Sequence, residues 1–126
     1  MTKEQLILGS KEHQLLEKHF KTAVLSTYNK QKLKEELKHA TIIKTDSLPE
    51  NVVGLYSYVM IEDKTSKKTF SFQIVPLDEA NMKENKISVF SPMAIAILGY
   101  QEGANVTWEM PGGLQNYLIK KVSKLN

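Results

Sequence analysis

Apolar residues recur at three- and four-residue spacing through the first quarter of the chain. Leu15, Leu16, His19, Phe20, Ala23 and Val24 form one stripe, the period of a helix with a single buried face. Ser10 precedes the stripe and is its candidate cap, with a hydroxyl able to accept from the orphan N–H groups of the first turn. Ser26, Thr27 and Asn29 interrupt the pattern. A second helix follows, with Leu33, Leu37 and Ala40 on one face and Lys30, Lys34, Glu35 and Lys38 elsewhere, stopping near Thr41-Ile42-Ile43. Two helices of about 12 residues, each about 18 Å long, with a brief connection between them predict a short antiparallel helical hairpin over residues 1–45.

Residues 44–51, KTDSLPEN, read as a polar linker. Beyond it the period falls from 3.6 to 2. Leu55, Ser57, Val59 and Ile61 alternate with Tyr56, Tyr58 and Met60, and Phe70, Phe72 and Ile74 form a core stripe after the polar hairpin loop Asp63–Lys68. Ile87-Ser88-Val89 is a short strand. Ser91 then caps a helix with Pro92 at its first position and Gly99 past its end, the placement each residue favours. Val106, Trp108 and Met110 make another strand face with Trp108 in the core. Pro111-Gly112-Gly113 is a turn, and Asn116–Val122 is the last strand. Strands grouped around one short helix predict an α+β domain over residues 50–126, with an antiparallel or mixed sheet.

Charge narrows the options. Residues 1–45 hold nine Lys against five acids, and residues 46–126 hold eight Lys against nine. There is no Arg, the side chain best shaped for bidentate recognition of phosphate and guanine, which speaks against sequence-specific DNA binding. There is no Cys, so disulfides, thiol catalysis and cysteine-type zinc sites are excluded. No apolar run approaches a membrane span, and Leu6–Leu8 is too short for a secretory core; a cytoplasmic protein is expected. His13 and Glu17 share a helical face but have no third ligand, so no metal or cofactor is expected. No nucleophile–base pair stands out, and the Pro-Gly-Gly turn lacks the following Lys of a phosphate loop.

Residues 87–113, ISVFSPMAIAILGYQEGANVTWEMPGG, resemble the C-terminal domain of the GreA/GreB family of bacterial transcription factors. The likeness lies in an ordered set: Ile87-Ser88, Ser91-Pro92, Ala96–Gly99, Gly103–Val106 and Pro111–Gly113. The string Trp108–Gly113, the Val52-Val53 pair and the short front helices look most like the Rnk branch, the regulators of nucleoside diphosphate kinase. The resemblance implies an FKBP-like domain behind a coiled coil, with RNA polymerase as partner and the rim of its secondary channel as the docking place. By position it assigns that contact to Phe90, Ser91 and Pro92, with Met93 and Ile95 nearby. Some family members have an acid where Phe90 stands; Phe90 either substitutes an apolar contact or turns inward.

In the cleavage-stimulating relatives, acids at the hairpin tip help hold a magnesium ion. Here no acid lies between Glu17 and Glu35, while Lys18, Lys21, Lys30, Lys32 and Lys34 do. Magnesium needs oxygen ligands, so this tip predicts a non-catalytic regulator that occupies the rim without promoting cleavage. Lys21, Lys30 and Lys32 mark the tip, either as solvated surface or as a contact for acidic protein or RNA. Two other readings stay open. One is a peptidyl-prolyl isomerase, suggested by fold alone. The other is a nucleic-acid module whose Lys-rich hairpin binds weakly and without sequence preference.

Overall fold

The structure, a computed structural model, describes residues 6–22 and 25–124. Helix α1 (Ser10–Thr22) and helix α2 (Thr27–His39) form where the apolar period placed them, and they pack on each other. Ala23 and Val24, assigned to the first stripe, lie outside the described residues. Ser10 is the first residue of α1 rather than a preceding cap. The cap comes instead from a distant residue: the Lys11 amide donates to the Thr45 hydroxyl at 3.0 Å.

Two strands of three residues frame the helix pair. β1 (Ile7–Gly9) runs parallel to β2 (Thr41–Ile43), with Leu8 opposite Ile42. Such short strands carry too few residues for an alternation to register. They nevertheless fix the two ends of the helix pair, since Leu6 and Leu8 are buried and the Ile7 amide donates to the Gly99 carbonyl at 3.1 Å.

The remaining strands are β3 (Ser57–Asp63), β4 (Thr69–Val75), β5 (Lys86–Ser88), β6 (Asn105–Met110) and β7 (Gly113–Lys124). They form one mixed sheet in the order β5-β4-β3-β7-β6, in which only β4 and β5 are parallel. Helix α3 (Pro92–Ile97) packs against this sheet with Ala94 through Ile97 buried. Ser57, Val59 and Ile61 face the core, while Tyr58 and Met60 face outward.

The core stripe on β4 holds only in part. Phe70 is 48% exposed, Phe72 is half-buried and Ile74 is fully buried. The gradient follows from where β4 is covered: β5, which leads into α3, pairs only with Gln73–Val75, and Phe70 sits at the open hairpin end.

The segment read as a polar linker is packed. Its Leu48 is buried, a single-turn helix forms at Thr45–Ser47, and Val52 and Val53 that follow have no exposure. Leu16 and Leu33 of the helices belong to the same hydrophobic core as Ile61, Ile97 and Trp108 of the sheet region. Of the polar residues in 44–51, Thr45 ties the segment to α1. The Thr45 hydroxyl donates to Glu12 Oε1 at 3.1 Å, and the Leu55 amide donates to Glu12 Oε2 at 2.8 Å. Glu12 has no solvent exposure at all.

Candidate functional site: the corner before helix α3

The corner is built by local hydrogen bonding. The Ser88 hydroxyl accepts from the Phe90 amide at 3.0 Å, and the Ser91 amide donates to the Ser88 carbonyl at 2.9 Å. Ser91 has extended dihedrals and its hydroxyl accepts from the Ala94 amide at 3.3 Å, a true helix cap with Pro92 at the first position. Gly99 lies just past the helix at φ +87°, where a Cβ would sit 2.8 Å from Leu8 Cδ2; conformation and close approach both call for glycine.

Of the five residues assigned to partner contact, Pro92 is exposed, and Phe90, Ser91 and Met93 are half-buried. Ile95 is only 3% exposed, so it supports the corner from within the core. Phe90 neither points freely outward nor enters the core. It stacks on His19 of α1, with ring centroids 5.6 Å apart and planes 17° from parallel. Partial burial pushes the His19 imidazole below its ordinary value, which favours the neutral ring in this stack. Between the helix pair and the corner runs a groove of about 540 Å³, lined on its apolar side by Leu25, Phe90, Pro92, Trp108, Met110 and Pro111.

Helix α2 closes the groove through Asn29. Its side-chain amide donates to the Glu109 carbonyl and accepts from the Glu109 amide, both at 2.8 Å. β6 is an edge strand, so the Asn29 side chain takes the place of a neighbouring strand at that residue. The Ser26 hydroxyl caps α2 by accepting from the Asn29 amide at 3.1 Å, which orients the helix for this contact. Asn29→Ala is expected to destabilise the fold by about 2 kcal/mol, because it leaves two backbone groups of Glu109 without their partner. Urea unfolding checks this. A change below about 0.5 kcal/mol would show that water replaces the amide without loss.

The three lysines assigned to the hairpin tip do not stay together. Lys21 and Lys30 are exposed, whereas Lys32 is turned toward the sheet region. Its ammonium pairs with Glu36, donates to the Tyr100 hydroxyl at 2.7 Å, and lies 4.9 Å from the Tyr100 ring centre and 5.5 Å from that of Trp108. The Tyr100 hydroxyl also donates to Glu36. This cluster anchors α2, and the aromatic faces supply attraction that a solvated Lys lacks. His13 and Glu17 do meet at 3.3 Å, and among the described residues no group of three or more His, Cys, Asp or Glu could hold a metal.

Sequence reasoning missed Asn29, Glu12 and the Lys32 cluster. The four-residue Lys32–Glu36 spacing was visible, but nothing local indicated that two aromatic residues more than sixty positions away would cover it.

Residues 48–124 match the family described as "Transcription elongation factor, GreA/GreB, C-term". The chain is 41% identical over 91 residues to transcription elongation factor GreA of Methylococcus capsulatus, covering 71% of this chain and 58% of that protein. It is 40% identical over 93 residues to GreA of Legionella pneumophila, covering 73% and 58% respectively. The chain thus spans less than two thirds of the length of the curated relatives it matches. A GreA/GreB elongation factor structure from Nitrosomonas europaea superposes with a TM-score of 0.66 at 27% identity, covering 96% of this chain and 99% of that one. Gfh1 of Thermus aquaticus, at 22% identity and a TM-score of 0.54, shares the fold. With the match running through the whole sheet region and the α3 corner, the chain belongs to the GreA/GreB family of transcription elongation factors.

Proposed function

We propose that this protein is an RNA polymerase-binding regulator that docks through the Phe90–Pro92 corner at the secondary-channel rim and does not stimulate transcript cleavage. The observation that carries the reading is the corner itself. Pro92 is exposed beside Phe90, and both open onto a groove whose apolar side, with polar groups of His19, Ser26, Asn29 and Glu109 also lining it, suits a protein partner. In this proposal the protein is an FKBP-like domain carrying a stub of a coiled coil, as in the Rnk branch, acting in the cytoplasm without enzymatic activity of its own.

The helices favour occupancy over chemistry. Each has 13 residues and so spans about 20 Å. The stretch between Glu17 and Glu35 offers Lys21 and Lys30 to solvent and no carboxylate to a metal.

Titration of labelled protein with core RNA polymerase tests the docking. Binding at micromolar concentration or tighter is expected, with Phe90→Ala plus Pro92→Ala weakening it about tenfold, equivalent to about 1.4 kcal/mol. Lys30→Ala should leave it unchanged. Absence of binding, or indifference to the corner substitutions, counts against the proposal. Stalled elongation complexes should keep their RNA length when the protein is added, and shortening would overturn the non-cleaving part.

A further inference from the structure

The face of the sheet turned away from the core is not a plain solvated surface. Tyr58 and Met60 of β3 stand on it, 37% and 38% exposed, in the middle of the sheet rather than at a rim. The register places Gln73 of β4 and Ser123 of β7 on either side of Tyr58, and Ser71 and Lys121 on either side of Met60. These side chains, with Asn85, line an open concavity of about 320 Å³.

A β-bulge adds charge to this face. Met60 lies opposite Lys121 but Ile61 lies opposite Ile119, which leaves Lys120 as the extra residue of β7. Ile119 and Val122 remain buried, so two consecutive lysines are exposed between two core positions. A regular strand would have sent one of them inward. The Lys120 ammonium lies 3.7 Å from Glu62, the next outward residue of β3 after Met60, which places it on the same face as Tyr58. Glu84 at the edge of the concavity is already paired with Lys86 at 3.1 Å.

We propose that this sheet face is a contact surface for single-stranded RNA. An exposed aromatic ring in the middle of a sheet is a platform on which an unstacked base can lie. Lys121, opposite Met60, is placed to meet a phosphate next to that base, and Lys120, which shares its charge with Glu62, lies one residue away along β7 on the same side. Ser71, Gln73, Asn85 and Ser123 surround the ring with hydroxyl and amide groups that suit base edges and a ribose 2′-hydroxyl. Duplex nucleic acid has no free base for the ring, and an acidic peptide without aromatic residues has no ring to stack on it. The surface is separate from the Phe90–Pro92 corner, shares no lining residue with its groove, and does not depend on polymerase binding.

Fluorescence anisotropy with the full chain and a labelled 12-nucleotide single-stranded RNA of mixed sequence at low salt tests the proposal. Micromolar binding is expected, weakening about sevenfold between 50 and 200 mM salt for two lysine–phosphate contacts. Tyr58→Ala should weaken it about tenfold and Tyr58→Phe should leave it within about twofold, since the ring is what stacks. Lys120→Glu with Lys121→Glu should weaken it at least tenfold, while Lys30→Glu on α2 should not. Circular dichroism melts of each variant separate loss of binding from loss of fold. No binding at 100 μM protein, equal binding of Tyr58→Ala, or dependence on Lys30 instead of Lys121 would overturn the proposal. So would equal affinity for the same sequence as duplex or as single-stranded DNA, or for polyglutamate of equal charge.

Discussion

Trp108→Ala is expected to lower the free energy of unfolding by about 3–5 kcal/mol, the range for removing a large aromatic side chain from a packed core. Trp108 is 2% exposed and sits on β6, an edge strand that would otherwise be a weak part of the sheet. Its ring joins the sheet to the helices, because the Lys32 ammonium lies 5.5 Å from the ring centre. Deleting it opens a cavity and removes one of the two aromatic faces that hold the half-buried ammonium of Lys32. Trp108 is the sole tryptophan, so its own fluorescence cannot follow the variant; far-UV circular dichroism in urea can. The helices and the sheet should unfold in one transition, since Leu16, Leu33 and Trp108 share a core. A loss below about 1 kcal/mol, or helical signal that survives after the sheet has melted, would show that the two regions are energetically separate.

That coupling explains which parts of the fold could be read from the sequence. Helices α1 and α2 announce themselves through a sustained 3.6-residue period, and the Ser91-Pro92 cap through side-chain chemistry acting over three residues. β3, β6 and α3 also depend on signals that lie within one segment. The parts that were not legible are those where distant segments complete one another. Residues 44–51 have the composition of a linker because Thr45 is polar, yet its hydroxyl serves the first turn of α1 and the carboxylate of Glu12, more than thirty positions away. Leu6–Leu8 and Thr41–Ile43 are each too short to show a period, and only their mutual pairing makes them strands. Phe70 has the right parity for the core but lies where the sheet is left uncovered, which alternation alone does not reveal. The candidate site divides in the same way. The corner at Phe90–Pro92 was legible as a local motif, while its groove, the His19 stack and the Asn29 clamp arise only when α1 and α2 close on β6.

Glu12 is the second critical residue, because it joins α1 to the segment before the sheet. Glu12→Ala is expected to destabilise the protein by about 2–4 kcal/mol, although alanine is the better helix former. The carboxylate is fully buried, and its described partners are the Thr45 hydroxyl and the Leu55 amide. Removing it leaves both partly buried donors without this acceptor, at about 1–3 kcal/mol each less what relaxation and water recover. Two glycines shape the space around the carboxylate: a Cβ on Gly9 would stand 2.3 Å from Oε1, and one on Gly54 would stand 2.7 Å from Oε2. The alanine variant therefore also leaves a void that neither glycine can fill. Glu12→Gln retains the shape and one acceptor oxygen and should lose only about 1 kcal/mol. Thr45→Val removes one end of the same hydrogen bond, so its effect and that of Glu12→Ala should fall short of additive by at least about 0.5 kcal/mol in the double variant. Strict additivity in urea unfolding would mean that the two residues act independently and that the Thr45–Glu12 hydrogen bond does not couple the segment to α1.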